Sequence, residues 1–359
     1  GNAGTISTSG TGAYGMQATD ESTAQNGSEG SITTSGAGSH GMVAGGDSTA
    51  TNLGSVTTSG AGSYGMFAFD GSTATNSGGL IATSGAGANG MVASDDSMAV
   101  NWGSVATSGT GSFGMWATAS SDVTNNGSIT TSGAGSHGMV ATDGSTATNA
   151  VSGDIATSGA GSWGMAAVGS GSSAANAGNI ATTGDGSHGM AAVSGSTATN
   201  TGDITTSGAG AYGMFADTNS EIFTVGADSI VTTGNGSHGM VATNVSSADN
   251  SGSITTSGAG SYGMLADNSS FATNSGTITT SGIGSHGMVA SADSVAENEG
   301  IILTSGADAF GMKAINGSEA VNTVSGDIST SGTGAHGMLA TGTSTGTNEG
   351  AIATSGTNA

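Results

Sequence analysis

The sequence predicts an all-β chain, a right-handed parallel β-solenoid (β-helix) of about 14 coils, each with 24–26 residues and three short strands. Three observations predict it. The stretch "SITTSGAGSHGMVATDGSTATN", Ser128 to Asn149, returns with small edits, for example as "SITTSGAGSYGMLADNSSFATN" at Ser253 to Asn274. A Gly-Met step marks each copy, at Met16, Met42, Met66, Met91, Met115, Met139, Met165, Met190, Met214, Met240, Met264, Met288, Met312 and Met338, fourteen in all at spacings of 24 to 26. Gly, Ser, Thr and Asn dominate and no apolar stripe of period 3.6 exists, so helix is excluded.

Each copy offers three strand-like segments separated by turn residues: "SITTS", "HGMVA" and "STATN". In the first, Ile6, Ile32, Val56, Ile81, Val105, Ile129 and Ile155 begin an apolar column that Ile180, Ile204, Ile230, Ile254 and Ile278 continue. The "SG" glycines that follow, Gly10 to Gly356, mark a corner where positive φ is expected. In the second segment the Met column fills a narrow interior. The third closes on Asn in thirteen of fourteen copies, Val225 being the exception, and stacked amides can bond coil to coil. Insertions such as "NAVSGDI" from Asn149 and "NTVSGDI" from Asn322 put the variable loops at one corner. At about 4.8 Å per coil, the whole chain, 1–359, is expected to form a single repetitive domain about 70 Å long. It does not begin with Met and stops within a repeat, so it is expected to be a piece of a longer protein.

Composition limits the partners. One cation, Lys313, stands against 24 acids, a formal charge of -23 that repels phosphate backbones and anionic lipid, so nucleic acid is excluded. Without Cys there is no disulfide framework and no Cys-ligated metal. No apolar run approaches the roughly 20 residues that span a bilayer, so this segment carries no membrane span. Polar, weakly charged composition alone would suggest disorder, but strict periodicity argues against it.

The pattern "SITTSGAGSHGMVA" resembles the repeats of bacterial autotransporter passenger domains, secreted β-helices carried outside the cell by a C-terminal outer-membrane barrel. The resemblance covers essentially the whole chain. It implies an extracellular adhesin or surface fibre at the bacterial cell surface, with a host or surface receptor, or neighbouring copies in a homo-oligomer or filament, as partners.

The residue two before each Met alternates without a break: Tyr14, His40, Tyr64, Asn89, Phe113, His137, Trp163, His188, Tyr212, His238, Tyr262, His286, Phe310, His336. The true repeat is therefore two coils. Stacked on alternate coils, histidines lie about 9.6 Å apart, too far to share an ion whose bonds are near 2.1 Å, so packing against the rings is the expected role. Every copy carries nearly the same Ser, His and Asp, whereas catalysis needs one asymmetric constellation; no enzyme and no cofactor are expected. A polysaccharide lyase, which also uses β-helices, ranks behind, because the repeated His and Lys313 are the only basic groups.

Two array functions form the alternative. Asp20, Asp70, Asp95 and Asp143 all fall four residues after Met and could gather calcium on an edge, although the nonapeptide calcium motif is absent. Thr pairs such as Thr49 with Thr51 and Thr73 with Thr75 share a strand face, as an ice-binding array would, but "SMAVN", "SSAAN" and "SEAVN" interrupt them. With Met inward, the next residue turns outward, giving an exposed stripe of Phe67, Val92, Trp116 and Val140, and again of Phe215, Val241, Leu265 and Val289, as a candidate surface for lateral association.

Overall fold

The computed structural model describes residues 1–226 and 228–358 and divides the chain into two compact units, Gly1–Ala181 and Thr182–Ala359. Each unit is a parallel β-solenoid. Among the described residues, 43 short strands make about 15 coils of three strands, and no helix is present. The strands fall on the segments that the sequence singles out, as in Ser31–Thr34, Met42–Gly45 and Thr49–Asn52. First strands pair only with first strands, second with second and third with third. The register superimposes like on like: Ile32 faces Val56, Met42 faces Met66 and Asn52 faces Asn76 in the first unit, and Ile230 faces Ile254 and Met240 faces Met264 in the second.

A three-sided coil of four-residue strands leaves a narrow interior. Ile32, Met42, Ala44 and Ala50 fill it in one coil, all at 0% exposure, and the same positions recur through both units. Met and the β-branched residue of the first strand take most of the space in each coil, so the third strand supplies Ala in most coils, Val123 and Ile222 being larger exceptions. Gly precedes every Met of the interior column for the same reason. A Cβ on Gly41 would run into Val56 Cγ1 and the Gly65 carbonyl oxygen of the next coil.

The "SG" glycines are needed for close approach and not for positive φ. The left-handed residue comes two positions later, at Gly38 and Gly62 (φ 63° for both), whereas a Cβ on Gly36 would strike the Gly10 carbonyl of the coil before.

Corners are where backbone groups turn inward and lose water, so each needs a polar partner. Three side-chain ladders supply them. At the first corner Ser39 N–H donates to Ser63 Oγ (2.9 Å), Ser63 Oγ donates back to the Gly36 carbonyl (3.0 Å), and Thr34 Oγ1 donates to the Ser39 carbonyl (2.7 Å). The second corner repeats the device with Ser48 N–H on Ser72 Oγ and Ser72 N–H on Ser97 Oγ, both 3.0 Å. At the third, Asn26, Asn52, Asn76, Asn101, Asn125 and Asn149 each pass an amide N–H to the next coil's Asn Oδ1 at 2.8–2.9 Å. The amide column is thus a structural ladder, as the repeat predicts.

The break in that column lies one residue from where the sequence suggests. Thr224, not Val225, stands in register with Asn200. Thr is too short to receive the Asn200 amide, and Asp228, placed where other coils carry the close-approach glycine, extends its carboxylate into the gap. Asn200 Nδ2 donates to Asp228 Oδ2 at 2.9 Å, while Thr224 Oγ1 donates to Asn250 Oδ1 at 2.8 Å. Two departures from the repeat therefore rebuild one rung. The repair is imperfect, since Asp228 is 4% exposed and its Oδ1 has no partner.

Burial raises the Asp228 pKa above 3.8. A carboxyl with a raised folded pKa contributes its stability fully below its unfolded pKa and loses it as pH rises through the folded value, so this rung is weakest at neutral pH. Thr224→Asn with Asp228→Gly restores the repeat. The double variant is expected to melt above the parent at pH 7 and to gain less at pH 3. Asp228→Gly alone removes one of the Asn200 amide's hydrogen bonds, leaving that to the Gly202 carbonyl, and is expected to cost about 1 kcal/mol. Thermal melts of the four proteins at both pH values read the coupling, and additive single effects would rule out the shared rung.

Candidate functional site: the outer face of the second strands

Rings and histidines of the first unit collect on one side; the second unit repeats that side and also places Phe223 and Phe271 on its third strands. Seven of the eight Phe, Trp and Tyr residues of the first unit, all but Trp102, lie on the second strands or on the turn that leads into them, so that face is where a ligand would meet aromatic surface. The rings stack coil over coil. Tyr14, His40 and Tyr64 are spaced 5.2 and 4.6 Å with interplanar angles of 21° and 17°, and Phe113, His137 and Trp163 follow at 5.2 and 4.8 Å. In the second unit His188, Tyr212, His238, Tyr262 and His286 continue at 4.6 to 5.1 Å. Such offset stacking is favourable and sequence-tolerant among rings.

Stacking alone does not explain why His alternates with larger rings. Hydrogen bonds do. Five of the six His accept, at Nδ1, the backbone N–H of the ring residue one coil on: Tyr64 to His40 (2.9 Å), Trp163 to His137 (2.9 Å), Tyr212 to His188 (3.0 Å), Tyr262 to His238 (2.9 Å) and Phe310 to His286 (3.0 Å). Asn89, the single non-ring residue of the column, does the same with Oδ1 for Phe113 N–H at 2.7 Å. The position selects an acceptor, and His and Asn both provide one. A His that accepts at Nδ1 holds its proton on Nε2 and is neutral. Burial reinforces this, pushing His40, His137, His238 and His286 down from 6.5 to about 4, with the positive charge of Lys313 adding to the effect at His286.

The residue after each Met does turn outward, but the expected exposed stripe is only half there. Phe67, Trp116, Phe215 and Leu265 are half-buried, whereas Val92, Val140, Val241 and Val289 are 1–4% exposed. Val92 sits between Phe67 and Trp116 and Val241 between Phe215 and Leu265, which close over them, whereas Val140 has Trp116 on one side and Ala166 on the other. The two-coil period thus governs this column as well as the His column.

One place on the face departs from the repeat. Phe69 stands where other coils carry Thr, Ser, Asp or a small aliphatic residue, and the coil beneath it carries Gly45 at the register partner. A Cβ on Gly45 would strike the Phe69 ring, so the glycine lets that ring lie on the backbone. Phe67 and Phe69 stack at 5.2 Å, and His40 and Tyr64 each lie 5.5 Å from Phe67. Trp116 follows two coils on, its Nε1 donating to Thr142 Oγ1 at 3.2 Å.

The acids expected to gather calcium border this face. Asp20, Asp70, Asp95 and Asp143 are exposed and hold left-handed backbone, with φ of 54–57°, at the second corner. Asp and Asn adopt that conformation more readily than other non-Gly residues, which accounts for their recurrence. Among the described residues no group of three or more His, Asp or Glu could hold a metal ion. Thr49, Thr51, Thr73 and Thr75 do stand in register on the third strands, but Met98 and Val100 interrupt them on the next coil.

A family model for the BigA third pectate lyase-like domain matches residues 1–81, 66–202, 139–226 and 202–326. The chain belongs to that family. No curated protein matches it. Among solved structures, a chain of the cryo-EM structure of the Vag8–C1 inhibitor complex superposes with a TM-score of 0.69 at 16% identity, over 98% of this chain and 100% of that one. The fold is that of an autotransporter-passenger-type β-helix, in agreement with the resemblance carried by the repeats.

In this BigA-type domain the His column is held by acceptor geometry, and acid should undo it. The folded pKa lies below the ordinary one, so the unfolded chain binds protons first. Stability is complete above pH 6.5 and falls as pH drops toward 4. His238→Asn, which keeps the acceptor without a titrating ring, is expected to melt near the parent at pH 7 and above it at pH 4.5. His238→Leu leaves the Tyr262 N–H unpaired and is expected to lose about 1–3 kcal/mol at pH 7. Equal melting of the Asn and Leu variants at pH 7 would show that packing, not the accepted hydrogen bond, selects the residue.

Proposed function

We propose that this domain is the binding region of a surface-displayed or secreted passenger and works as an adhesin. The observation that carries the reading is the segregation of surfaces. The interior and the corners are largely consumed by coil-to-coil bonding, and in the first unit the side chains left over form one ring-bearing face, to which the second unit adds Phe223 and Phe271 on its third strands. The fold shared with a passenger-type β-helix supports a place outside the cell. Among the described residues no helix is long and apolar enough to cross a membrane.

The family description names a pectate lyase-like domain, which supplies the competing reading. We place catalysis second because the histidines are neutral with Nδ1 occupied and the first unit contains no Lys or Arg to act on an acidic polysaccharide. The test is direct. Beads coated with the folded domain are expected to attach to cells or extracellular matrix above the level of uncoated beads, while polygalacturonate incubated with it yields no unsaturated product. Steady release of that product would overturn the binding reading.

The proposal extends to contact between copies through Phe67, Trp116, Phe215 and Leu265, opposed at low salt by the charge of -23 on each. Sedimentation velocity is expected to show monomer at low ionic strength and association as salt rises. Monomer throughout the series would remove self-association.

A further inference from the structure

We infer that the second-strand face of the first unit docks a basic, apolar protein segment, an inference that rests on the binding reading above and names its partner. Phe67 and Phe69 form a local ring cluster with His40 and Tyr64, and Gly45 is the matching departure that seats Phe69. Beside it runs a row of carboxylates. Asp47 N–H donates to the Asp70 carbonyl and Gly71 N–H to the Asp95 carbonyl, both at 3.0 Å, so these acids stand coil over coil, about 4.8 Å apart. Asp47, Asp70, Asp95 and Asp96 are exposed.

No Lys or Arg exists anywhere in the first unit, and the buried histidines beside the row are neutral, so the unit offers these carboxylates no side-chain cation. Like charges stacked at this spacing repel one another, and a cationic partner relieves that. The chain itself, with one Lys, cannot provide such a partner.

The rings narrow the choice further. In the column they turn their faces to one another, and Phe67 stacks on Phe69, whose ring lies over Gly45, so the ring faces are largely taken up within the cluster. A pyranose needs an open ring face to lie on, whereas Arg and Lys stems and aliphatic side chains pack against edges and set their charge at the acids. In the second unit the same corner reads Thr218, Asn219, Asn244, Asn268 and Asn316, with Asp293 its left-handed acid and Asp217 and Asp267 at the ends of the strands that lead into it, so acids are sparser there than in the first unit.

The experiment is calorimetry on the whole chain at low and moderate salt with two peptides of equal charge, four Arg-Leu repeats and four Arg-Gly repeats, and with a neutral chitin oligosaccharide. The Arg-Leu peptide is expected to bind about tenfold tighter than the Arg-Gly peptide, as apolar burial and cation–π contact would give, and both to weaken with salt. Phe67→Ser with Phe69→Ser is expected to abolish the preference. Asp47→Asn with Asp70→Asn and Asp95→Asn is expected to weaken both peptides; Asn suits left-handed backbone, so this variant folds even if the ring variant does not. Phe215→Ser in the second unit should change nothing.

Equal affinity for the two peptides, indifference to the Asp→Asn variant, or binding of the oligosaccharide instead would each overturn the inference. Failure here leaves bead attachment intact, whereas failure of the adhesin reading abolishes attachment while peptide binding stands.

Discussion

Everything in this structure depends on keeping buried corners hydrogen-bonded without water. A β-solenoid of four-residue strands turns three times per coil, and each turn points backbone N–H and C=O groups at a narrow interior. The strands satisfy their own groups by pairing with the coils above and below. The corners do so through backbone bonds within the turn and through a Ser in most coils, a second Ser and an Asn that stand in the same place in coil after coil and bond to the neighbouring coil. A missing rung leaves a buried amide or carbonyl without a partner, at a cost comparable to burying a sizeable apolar group. That constraint accounts for the low complexity of the sequence better than any surface function does.

The outer ring column extends the same logic to a half-buried site. A backbone N–H on every second coil needs an acceptor, and the residue one coil back supplies it from a ring that also stacks. His meets both needs at once; Asn89 meets only the first, and it stands where the stack is interrupted. Neutrality of the histidines is then a structural requirement, since a proton on Nδ1 would oppose an N–H. Metal binding and proton transfer are roles for which this arrangement leaves little chemistry.

Most of the architecture was legible because the repeat is so strict. Period, strand positions, the Met and Ile columns and the Asn ladder all follow from counting residues. What escaped was what one copy cannot show. The Ser ladders are written in the Ser of "GSH", replaced by Ala13, Ala88, Ala211, Ala309 and Ala335 in five copies, and in the Ser that opens "STATN", yet Ser is so frequent here that two functional columns hide among solvated ones. The "SG" glycine and the positive-φ glycine lie two residues apart in one turn, and only close packing of the next coil tells them apart. Inward and outward alternation correctly turned the residue after Met away from the core, but it could not show that alternate valines would be covered by larger neighbours. Outward is not the same as exposed when a face carries two layers of side chains.

The informative residues are consequently the ones that break the pattern in pairs. Thr224 and Asp228 each look like an error in the repeat, and together they rebuild a rung from the opposite side of the corner. Gly45 and Phe69 are likewise paired across neighbouring coils, but they face outward and serve no ladder. A pair that repairs the interior is accounted for by stability. An outward pair that seats an extra aromatic ring on a water-facing surface gains far less from folding, and a row of uncompensated carboxylates beside it works against folding. Physical chemistry gives such a combination its clearest return when something cationic and apolar covers it.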